Sequence, residues 1–477
     1  MRKGYITVFL TLSLTLILSL VFTVIEGARI SAIRMKFECV ADIGMNSVLA
    51  EYHRELLEQY DLLFVDMSYG GSHASVGNTE AHLKNYMQKN LQGGESAGYA
   101  GVRDFLAMEA GDVKIGQYSI ASDSGGSVLK RQISDYMSDY PLGALLEKLD
   151  SGAEAVQKHG FETRDIEGEW MAYENEIKEI GIPKQQTEEG KYEEVPMDNP
   201  ADAAASTRNS GVLNLVLDDP SQVSAVRVSL NDYISNRSLI EGSGLCKEAV
   251  SVSGGVSELA FQAYLFEKCG YYGHETEKSL LKYQMEYILA GKDTDWQNLE
   301  KIAKRLLRWR EVSNFSYIMT DNARIGEAEL VAAALAVVLL CPELFKPVKY
   351  TLLYAWVYLE SLQDVKTLLS GGRVPVFKTA QDWKTNLSGL LNVRGSLKAD
   401  TGGNGLNYED YLRIMLFLEN KDKRTFRAMD IMEMDIRQTP GNGRFRLDAC
   451  FDTYQAELSV SSRFGYSYEI TRLYGFY

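Results

Sequence analysis

The chain has 477 residues, which at roughly 150 residues per domain allows about three domains and at least one large hydrophobic core. It carries 50 Lys and Arg against 65 Asp and Glu, a net charge of -15, and 45% of its residues are hydrophobic, which excludes a disordered chain and disfavours a nucleic-acid partner. Five cysteines without a CxxC pair exclude a disulfide scaffold and a zinc ribbon.

An uncharged apolar segment lies close to the N-terminus. Residues 5–25 read YITVFLTLSLTLILSLVFTVI, and a helix of this length spans about 30 Å, the thickness of a bilayer core. A cleaved secretory signal typically has an apolar region of only about 7–15 residues and ends in a small-x-small site. We therefore predict an uncleaved transmembrane helix over residues 5–25, preceded by a cytoplasmic flank at residues 1–4. Positive charges flank the segment on both sides in similar number, so they do not orient it.

A helical pattern continues beyond the membrane segment. Apolar residues recur at three-, four- and five-residue spacing, which predicts a long amphipathic helix reaching Tyr60. Only Gly27 and Gly44 weaken this helix, and a break at Gly27 that leaves two ordinary helices is the alternative. The residues of the predicted packing stripe are Ala28, Ala32, Met35, Cys39, Ile43, Val48, Tyr52 and Leu56.

The rest of the chain is predicted to alternate between mixed and helical regions. With the long helix, residues 26–180 form a membrane-proximal α+β domain, with strands at residues 60–66 and 112–122. Residues 181–215 are rich in proline and poor in large apolar side chains, which predicts a flexible linker or loop. Residues 216–438 form a mainly helical domain, in which Asn298 is a candidate N-cap.

The aliphatic run at residues 330–341 is too short to cross a membrane, so we expect a buried core helix there. At the C-terminus, residues 439–477 alternate apolar and polar side chains after the turn TPGNG, which predicts a β-hairpin that packs back on the membrane-proximal sheet. The predicted fold class is α+β, with one transmembrane helix continuing into a long amphipathic helix, a mixed sheet domain, and a mostly helical inserted domain.

The sequence contains few candidates for chemistry. The five histidines form no HExxH motif, the glycine pairs lack a following GK[ST], and no GxSxG motif occurs. Asp400 begins a segment that partly matches a calcium loop, but Gly402 and Tyr411 stand where ligands belong, which favours an ordinary loop before a helix. Cys246 and Cys269 either form a disulfide or are buried thiols. We predict no catalytic residues, no metal and no cofactor, and hence a protein that is not an enzyme.

The order of several segments resembles a known family. The start RKGYITVFLTLSL is similar to the N-termini of TadE and TadG type pseudopilins, and most of the chain resembles a large Gram-positive family encoded with tight-adherence pilus-assembly genes. The segments that carry this second resemblance are EGAR (26–29), ELLEQYDLLFVD (55–66), NYMQKNL (85–91), KYQMEYILAGKDTDWQNL (282–299), YAWVYLESLQDVKTLLSGGRVPVFKTAQDW (354–383) and LNYEDYLRIMLFL (406–418).

The resemblance implies a pseudopilin-like structural or assembly component of a surface pilus. It would be anchored in the cell membrane by one helix, with the N-terminus cytoplasmic, the large domain extracellular, and other pilus-assembly or pseudopilin subunits bound through the N-terminal helix. Prepilin-type processing would cut between Gly4 and Tyr5, or Gly4 stays uncut in a permanent anchor. The fifth residue after that bond is Phe9, where most pilins have glutamate, which favours an accessory role.

The membrane exit is assigned to Glu26, Gly27, Ala28 and Arg29. The alternative function is a membrane-tethered binding or enzymatic ectodomain unrelated to pili, for which the helical region would supply a pocket.

Overall fold

A computed structural model of the chain describes residues 3–91, 106–181, 184–186, 192–194, 197–245 and 254–476. Its α-helices are, in chain order, α1 (Lys3–Leu49), α2 (Arg54–Tyr60), α3 (Val76–Leu91), α4 (Asp123–Tyr136), α5 (Leu142–Lys158), α6 (Ile166–Ile180), α7 (Pro200–Thr207), α8 (Val212–Val216), α9 (Gly254–Lys268), α10 (Gln284–Ala290), α11 (Asp295–Ile318), α12 (Asn322–Val338), α13 (Phe345–Leu369), α14 (Val393–Ser396), α15 (Tyr408–Leu418) and α16 (Lys421–Arg437). The strands are β1 (Val65–Asp66), β2 (Met108–Ile120), β3 (Lys184–Gln186), β4 (Tyr192–Glu194), β5 (Cys450–Ser462) and β6 (Ser467–Gly475).

The chain divides into two compact units. The sheet unit combines residues 1–138, 236–257 and 432–477, and the helical unit combines residues 139–235 and 258–431. The helical unit is therefore inserted into the sheet unit, which confirms the predicted α+β class with an inserted helical domain.

The domain boundaries differ from the predicted ones. Residues 139–180, which contain α5 and α6, belong to the helical unit and not to the membrane-proximal domain. Residues 236–257, expected in the helical domain, belong to the sheet unit. Local periodicity shows that a helix buries one side, but it does not specify which of two cores that side joins.

The sheet unit is built around strand β5. This strand pairs antiparallel with β2 along one edge, and with β1 and then β6 along the other. The hairpin β5–β6 is thus joined to the two strands that lie near Tyr60 and Asp112, the partners that the sequence analysis gave it. The predicted first strand is much shorter than expected, because residues 54–60 form α2 and only Val65 and Asp66 pair.

Helix α1 is one continuous helix of 47 residues, which excludes a break at Gly27. It ends at Leu49 and not at Tyr60, because the chain turns before His53 caps the separate helix α2. The helix is close to α3 at Gly44, where a Cβ atom would lie 3.1 Å from Leu83 Cδ1 and 3.2 Å from Met87 Cγ. Glycine at this position therefore permits the close packing of the two helices.

The second half of α1 packs on the sheet through a stripe that shares only Val48 with the predicted one. The buried residues are Ile33, Phe37, Val40, Ala41, Met45 and Val48. In contrast, Met35 of the predicted stripe is 68% exposed, and Cys39 and Ile43 are exposed as well. Both the predicted and the observed stripe have helical spacing. The stripe that packs on the sheet is the one that contains Phe37 and the β-branched Ile33 and Val40.

The helical unit is organised around α13, whose side chains are buried from Val348 to Leu369 almost without interruption. Helices α6, α7, α11 and α12 pack around it. Part of the segment predicted as a linker, residues 181–215, belongs to this unit: Asn199 caps α7 through a hydrogen bond from Ala201 N, and Ala201 and Ala204 are buried. The prediction of a flexible segment is wrong there, because alanine allows close helix contact without large apolar side chains.

Two further expectations for the helical unit are corrected. Thr294, not Asn298, is the N-cap of α11; Asn298 is buried and hydrogen-bonds to the backbone of Lys292. The run at residues 330–341 is not a buried core helix, because only Ala332, Ala336 and Leu339 are buried while Leu330, Val337 and Leu340 are exposed. By contrast, the predicted loop before the helix YEDYLRIMLFL is present, and Asn407 and Asp410 form a capping box at the start of α15.

Candidate functional site

The apolar N-terminal half of α1 carries hydroxyl groups that are satisfied within the helix. Thr7 donates to the Gly4 carbonyl at 2.9 Å, Thr11 to Thr7 at 3.0 Å, and Thr15 to Thr11 at 2.7 Å. These bonds matter because a hydroxyl without a partner is costly in lipid. Tyr5 and Phe9 follow the predicted processing bond, and both are mostly exposed among the described residues, at 81% and 72%.

One helix in the described part of the chain is long and apolar enough to cross a membrane, and it is α1. None of its most apolar stretch is buried by the rest of the chain. The structure is therefore consistent with the predicted single-pass anchor.

The predicted membrane exit divides into two sides. Glu26 and Arg29 form a two-point ion pair, with Arg29 Nε 2.9 Å from Glu26 Oε2 and a terminal nitrogen 2.6 Å from Oε1. Gly27 and Ala28 are exposed, and a Cβ on Gly27 would contact nothing within 4 Å. At the membrane exit, one side of the helix therefore carries the Glu26–Arg29 ion pair, and the other side carries the small exposed residues Gly27 and Ala28.

Arg29 also contacts the turn between β5 and β6. Its second terminal nitrogen donates to Ser462 Oγ at 3.0 Å, and its guanidinium carbon lies 4.3 Å from the centre of the Phe464 ring. Arg29 is predictable from its place after the apolar span, whereas Ser462 and Phe464 are not, since 433 residues separate the hydrogen-bonded pair. The only available signal was the exposed aromatic and basic composition of the turn RFGY at residues 463–466.

A pocket lies in the sheet unit, beyond the C-terminal end of α1. Its volume is about 420 Å³, and it is lined by Glu51, Tyr52, His53, Arg54, Glu55, Asp66, Tyr69, Gly70, His82 and Asn442. None of these residues was singled out as a ligand-binding residue from the sequence, because they come from four separate segments. The pocket is also in the sheet unit rather than in the helical region, where the alternative function had placed one.

The two histidines of the pocket are held by hydrogen bonds. His53 Nδ1 accepts from Leu56 N at 3.2 Å, which assigns the proton to Nε2, and Nε2 lies 3.1 Å from Asn442 Oδ1. His82 Nδ1 lies 3.1 Å from both oxygens of Glu51. The Tyr69 ring stacks on the His82 ring with 3.9 Å between their centres, and burial raises the pKa of Tyr69 well above its ordinary value.

This arrangement favours binding over covalent chemistry. In the described residues, His53 and His82 bond to carboxylate, amide and backbone groups, and the hydroxyl of Ser68 donates to Asp66 at 2.6 Å. No imidazole is therefore paired with a serine or cysteine nucleophile among these contacts. Three carboxylates, Glu51, Glu55 and Asp66, give the pocket an acidic lining suited to a small polar or cationic molecule.

Metal and disulfide chemistry find little support in the part of the chain that the structure describes. No group of three or more His, Cys, Asp or Glu side chains there could hold a metal ion. Cys39, Cys341 and Cys450 are free thiols in this described part. Cys246, the predicted disulfide partner of Cys269, lies outside the described residues.

Sequence comparison places the chain in a family. Residues 190–462 match a family of unknown function, DUF5702, and this range exceeds half of the 477 residues. The match covers most of the helical unit and strand β5 but not α1. No curated protein and no solved structure matches the chain significantly. The protein is therefore a member of the DUF5702 family.

Proposed function

We propose that the protein is a membrane-anchored, pseudopilin-like component of a bacterial surface pilus of the tight-adherence type, with a structural or assembly role and no enzymatic activity. The resemblance of its N-terminal segment to TadE and TadG type pseudopilins supports this proposal. In this proposal the N-terminus is cytoplasmic, the remainder is extracellular, and the membrane is the cell membrane.

The observation that carries the proposal is the surface of α1 outside the apolar span. One side of its second half packs on the sheet, while Met35, Cys39 and Ile43 form a second apolar stripe on the exposed side. This stripe continues in the same helix from the exposed apolar surface of residues 5–25. A continuous apolar seam about 60 Å long suits packing against another helix of the same kind, partly in lipid and partly outside.

Native Cys39 allows this packing to be tested without adding a cysteine. We expect mild oxidation of membranes that contain the protein to produce a crosslinked product through Cys39, either a homodimer or an adduct with another pilus-assembly subunit. The control is Arg34→Cys in a Cys39→Ser background, since Arg34 lies on the side of α1 that contacts Tyr466. Crosslinking of equal yield at both positions, or none at Cys39, would contradict packing through this stripe.

The role in pilus display needs a genetic experiment. We expect a deletion strain to display fewer surface pili, and complementation by the intact gene to restore them. A variant with Met35→Glu and Ile43→Glu should be inserted in the membrane normally but fail to restore display, because charges in the stripe oppose helix packing. Unchanged pili in the deletion strain would overturn the proposal.

Processing at Gly4 is proposed not to occur, and the protein is then a permanent anchor. Position 9 is phenylalanine and not the glutamate that most pilins have there, which supports an accessory role over polymerisation of this chain. Mass spectrometry of the extracted protein, after protease treatment of intact cells, reports the N-terminus and the sidedness together. A mature chain that begins at Tyr5 would instead place the protein among processed pilins.

The pocket favours a second candidate function, a membrane-tethered binding ectodomain. Its two hydrogen-bonded histidines and acidic lining are the specific observation behind this alternative. A Glu51→Gln and His82→Phe variant distinguishes the two proposals. If it restores pili in the deletion strain as well as the wild type does, the pocket is not needed for assembly. Unchanged pili in the deletion strain, together with ligand binding by the wild-type protein that this variant loses, would favour the alternative.

A further inference from the structure

Strand β6 runs beside α1 in the same direction, with contacts in matching order. Arg34 Nε donates to Tyr466 Oη at 2.6 Å, Tyr468 Oη donates to Glu38 at 3.0 Å, and Arg472 lies 3.4 Å from Asp42. Residue numbers rise together on both elements. The β5–β6 turn therefore lies at the end of this contact that is closest to the apolar span, and the end of β6 lies farthest from it.

The turn lies within one helical turn of the end of the span. Arg29 is four residues beyond Ile25, which corresponds to about 6 Å along the helix axis. Its side chain leans back towards the N-terminus, as the ion pair with Glu26 shows, and Ser462 and Phe464 contact that same guanidinium. The polar layer of a bilayer is about 5–8 Å thick on each side, so the turn is at headgroup depth when residues 5–25 fill the hydrocarbon core.

The composition of the turn matches this environment. Phe464 is 66% exposed even though its ring lies over the Arg29 guanidinium. The neighbouring Arg463 side chain is 77% exposed and only loosely paired with Glu109, at 3.4 Å. Gly465 has φ of +82°, a conformation that glycine adopts freely, and it closes the tight turn that presents both side chains. Phenylalanine beside arginine is typical of segments that lie in the membrane interface, where the ring enters the acyl boundary and the cation stays near the headgroups.

We propose that the β5–β6 turn, residues 463–466, is a second membrane contact that docks on the lipid headgroup layer beside α1. Phe464 inserts among the upper acyl chains, and Arg463 and Arg29 remain at phosphate depth. The sheet unit then contacts the bilayer through both α1 and the β5–β6 turn. The second contact fixes the rotation of the unit about the α1 axis. This inference rests on the proposed membrane anchoring through residues 5–25.

Depth-dependent quenching tests this docking. The full-length protein is prepared with Cys39, Cys246 and Cys341 replaced by serine and the buried Cys269 and Cys450 retained, and one exposed cysteine at a time is introduced as Thr23→Cys, Phe464→Cys or Leu473→Cys. Each is labelled with a nitrobenzoxadiazole fluorophore and reconstituted in phosphatidylcholine vesicles that contain lipid spin-labelled near the headgroup. Thr23 reports the span, and Leu473 is the matched control, because it is half exposed on the same hairpin about 30 Å from the turn.

We expect strong quenching at positions 23 and 464 and several-fold weaker quenching at position 473. Quenching at position 23 without quenching at 464 would overturn the docking and leave the anchor intact. Equal quenching at 464 and 473 would also overturn it, since docking is specific to the turn. No quenching at any position would overturn both the anchor and the docking.

A second variant tests the role of the phenylalanine ring. With the fluorophore on Arg463→Cys, the substitution Phe464→Ser should reduce quenching several-fold, because serine cannot hold the turn in the acyl layer. Leu473→Ser, on β6 far from the turn, is the control and should leave the quenching unchanged. Undiminished quenching in the Phe464→Ser protein would show that the ring is not the docking element and would overturn that part of the proposal.

Discussion

Glu286 is a buried carboxyl group that forms no ion pair with the described residues. Its Oε1 accepts hydrogen bonds from Tyr408 Oη at 2.7 Å and Tyr272 N at 2.9 Å, while its buried Oε2 has no hydrogen-bond partner among the described residues. Burial raises its pKa to about 7. Asp364 differs, because Arg310 Nε lies 2.9 Å and Lys378 Nζ 2.5 Å from it. Burial alone would raise the pKa of Asp364, but these two cations hold it below its ordinary value.

The raised pKa of Glu286 makes stability depend on pH. Between pH 4.5 and about 7 the native state holds a proton on Glu286 that the unfolded state has released. The stability that this proton adds is fully present below pH 4.5 and is lost as the pH rises through about 7. The change in the free energy of unfolding caused by Glu286→Gln is measured at each pH. We expect this change to be more stabilising at pH 8 than at pH 5.5, by about 2 kcal/mol. Thermal or urea unfolding of the detergent-solubilised protein at the two pH values measures this difference.

The exposed residue Glu327 provides the control for this prediction. Glu327→Gln should change the unfolding free energy little at either pH, because an exposed carboxylate is hydrated in both states. A Glu286→Gln effect of the same size at pH 5.5 and pH 8 would contradict the assigned pKa.

Helix α12 shows how an apolar helix can be mostly exposed. Ala328, Ala332 and Ala336 are buried against the rest of the helical unit, whereas Leu330 is 73% exposed. The small alanine side chains let α12 approach α13 closely, and the larger aliphatic side chains point away. Hydrophobicity alone therefore predicted the wrong orientation for this element.

A matched pair of substitutions on α12 checks this orientation. Ala332→Leu should lower the free energy of unfolding by about 1–3 kcal/mol, because the added atoms overfill a packed contact. Leu330→Lys should change it by less than about 0.5 kcal/mol, since the side chain is exposed. Chemical unfolding of both variants measures the two effects, and the reverse order would mean that Leu330 faces the core.

At the scale of the whole molecule, the sheet unit is assembled from three separated parts of the chain. Strand β5 is central to it, because it pairs with β1, β2 and β6. The register joins Ile120 to Phe451 and Met108 to Ser462, so these pairs form only after the inserted helical unit has been synthesised. Contacts of such large sequence separation form slowly.

Truncation tests the central role of β5. A chain ending at residue 443 lacks β5 and β6, and we expect residues 33–49 of α1 to lose their protection from hydrogen exchange because the sheet they pack on is absent. A chain ending at residue 462 retains β5 and its pairing with β1 and β2, so protection there should largely persist. Equal protection of residues 33–49 in both chains would contradict the central role of β5.

The sequence by itself determined the features that depend on neighbouring residues. The uncharged length of residues 5–25 defines the apolar span, the capping residues near Tyr408 define the start of α15, and the alternation from Tyr454 to Val460 defines the buried side of the second half of β5. Each is a local pattern in which period or length limits the structure to one type of element.

Only the tertiary structure decided which surfaces meet. It selected the Ile33–Phe37 side of α1 over the Met35–Cys39 side, although both have helical spacing. It also brought His53 to Asn442, and Arg29 to Ser462 and Phe464. These contacts join residues about 390 to 430 positions apart and depend on the pairing of β5 with β1 and β2, and a local pattern carries no information about a partner that distant in the chain.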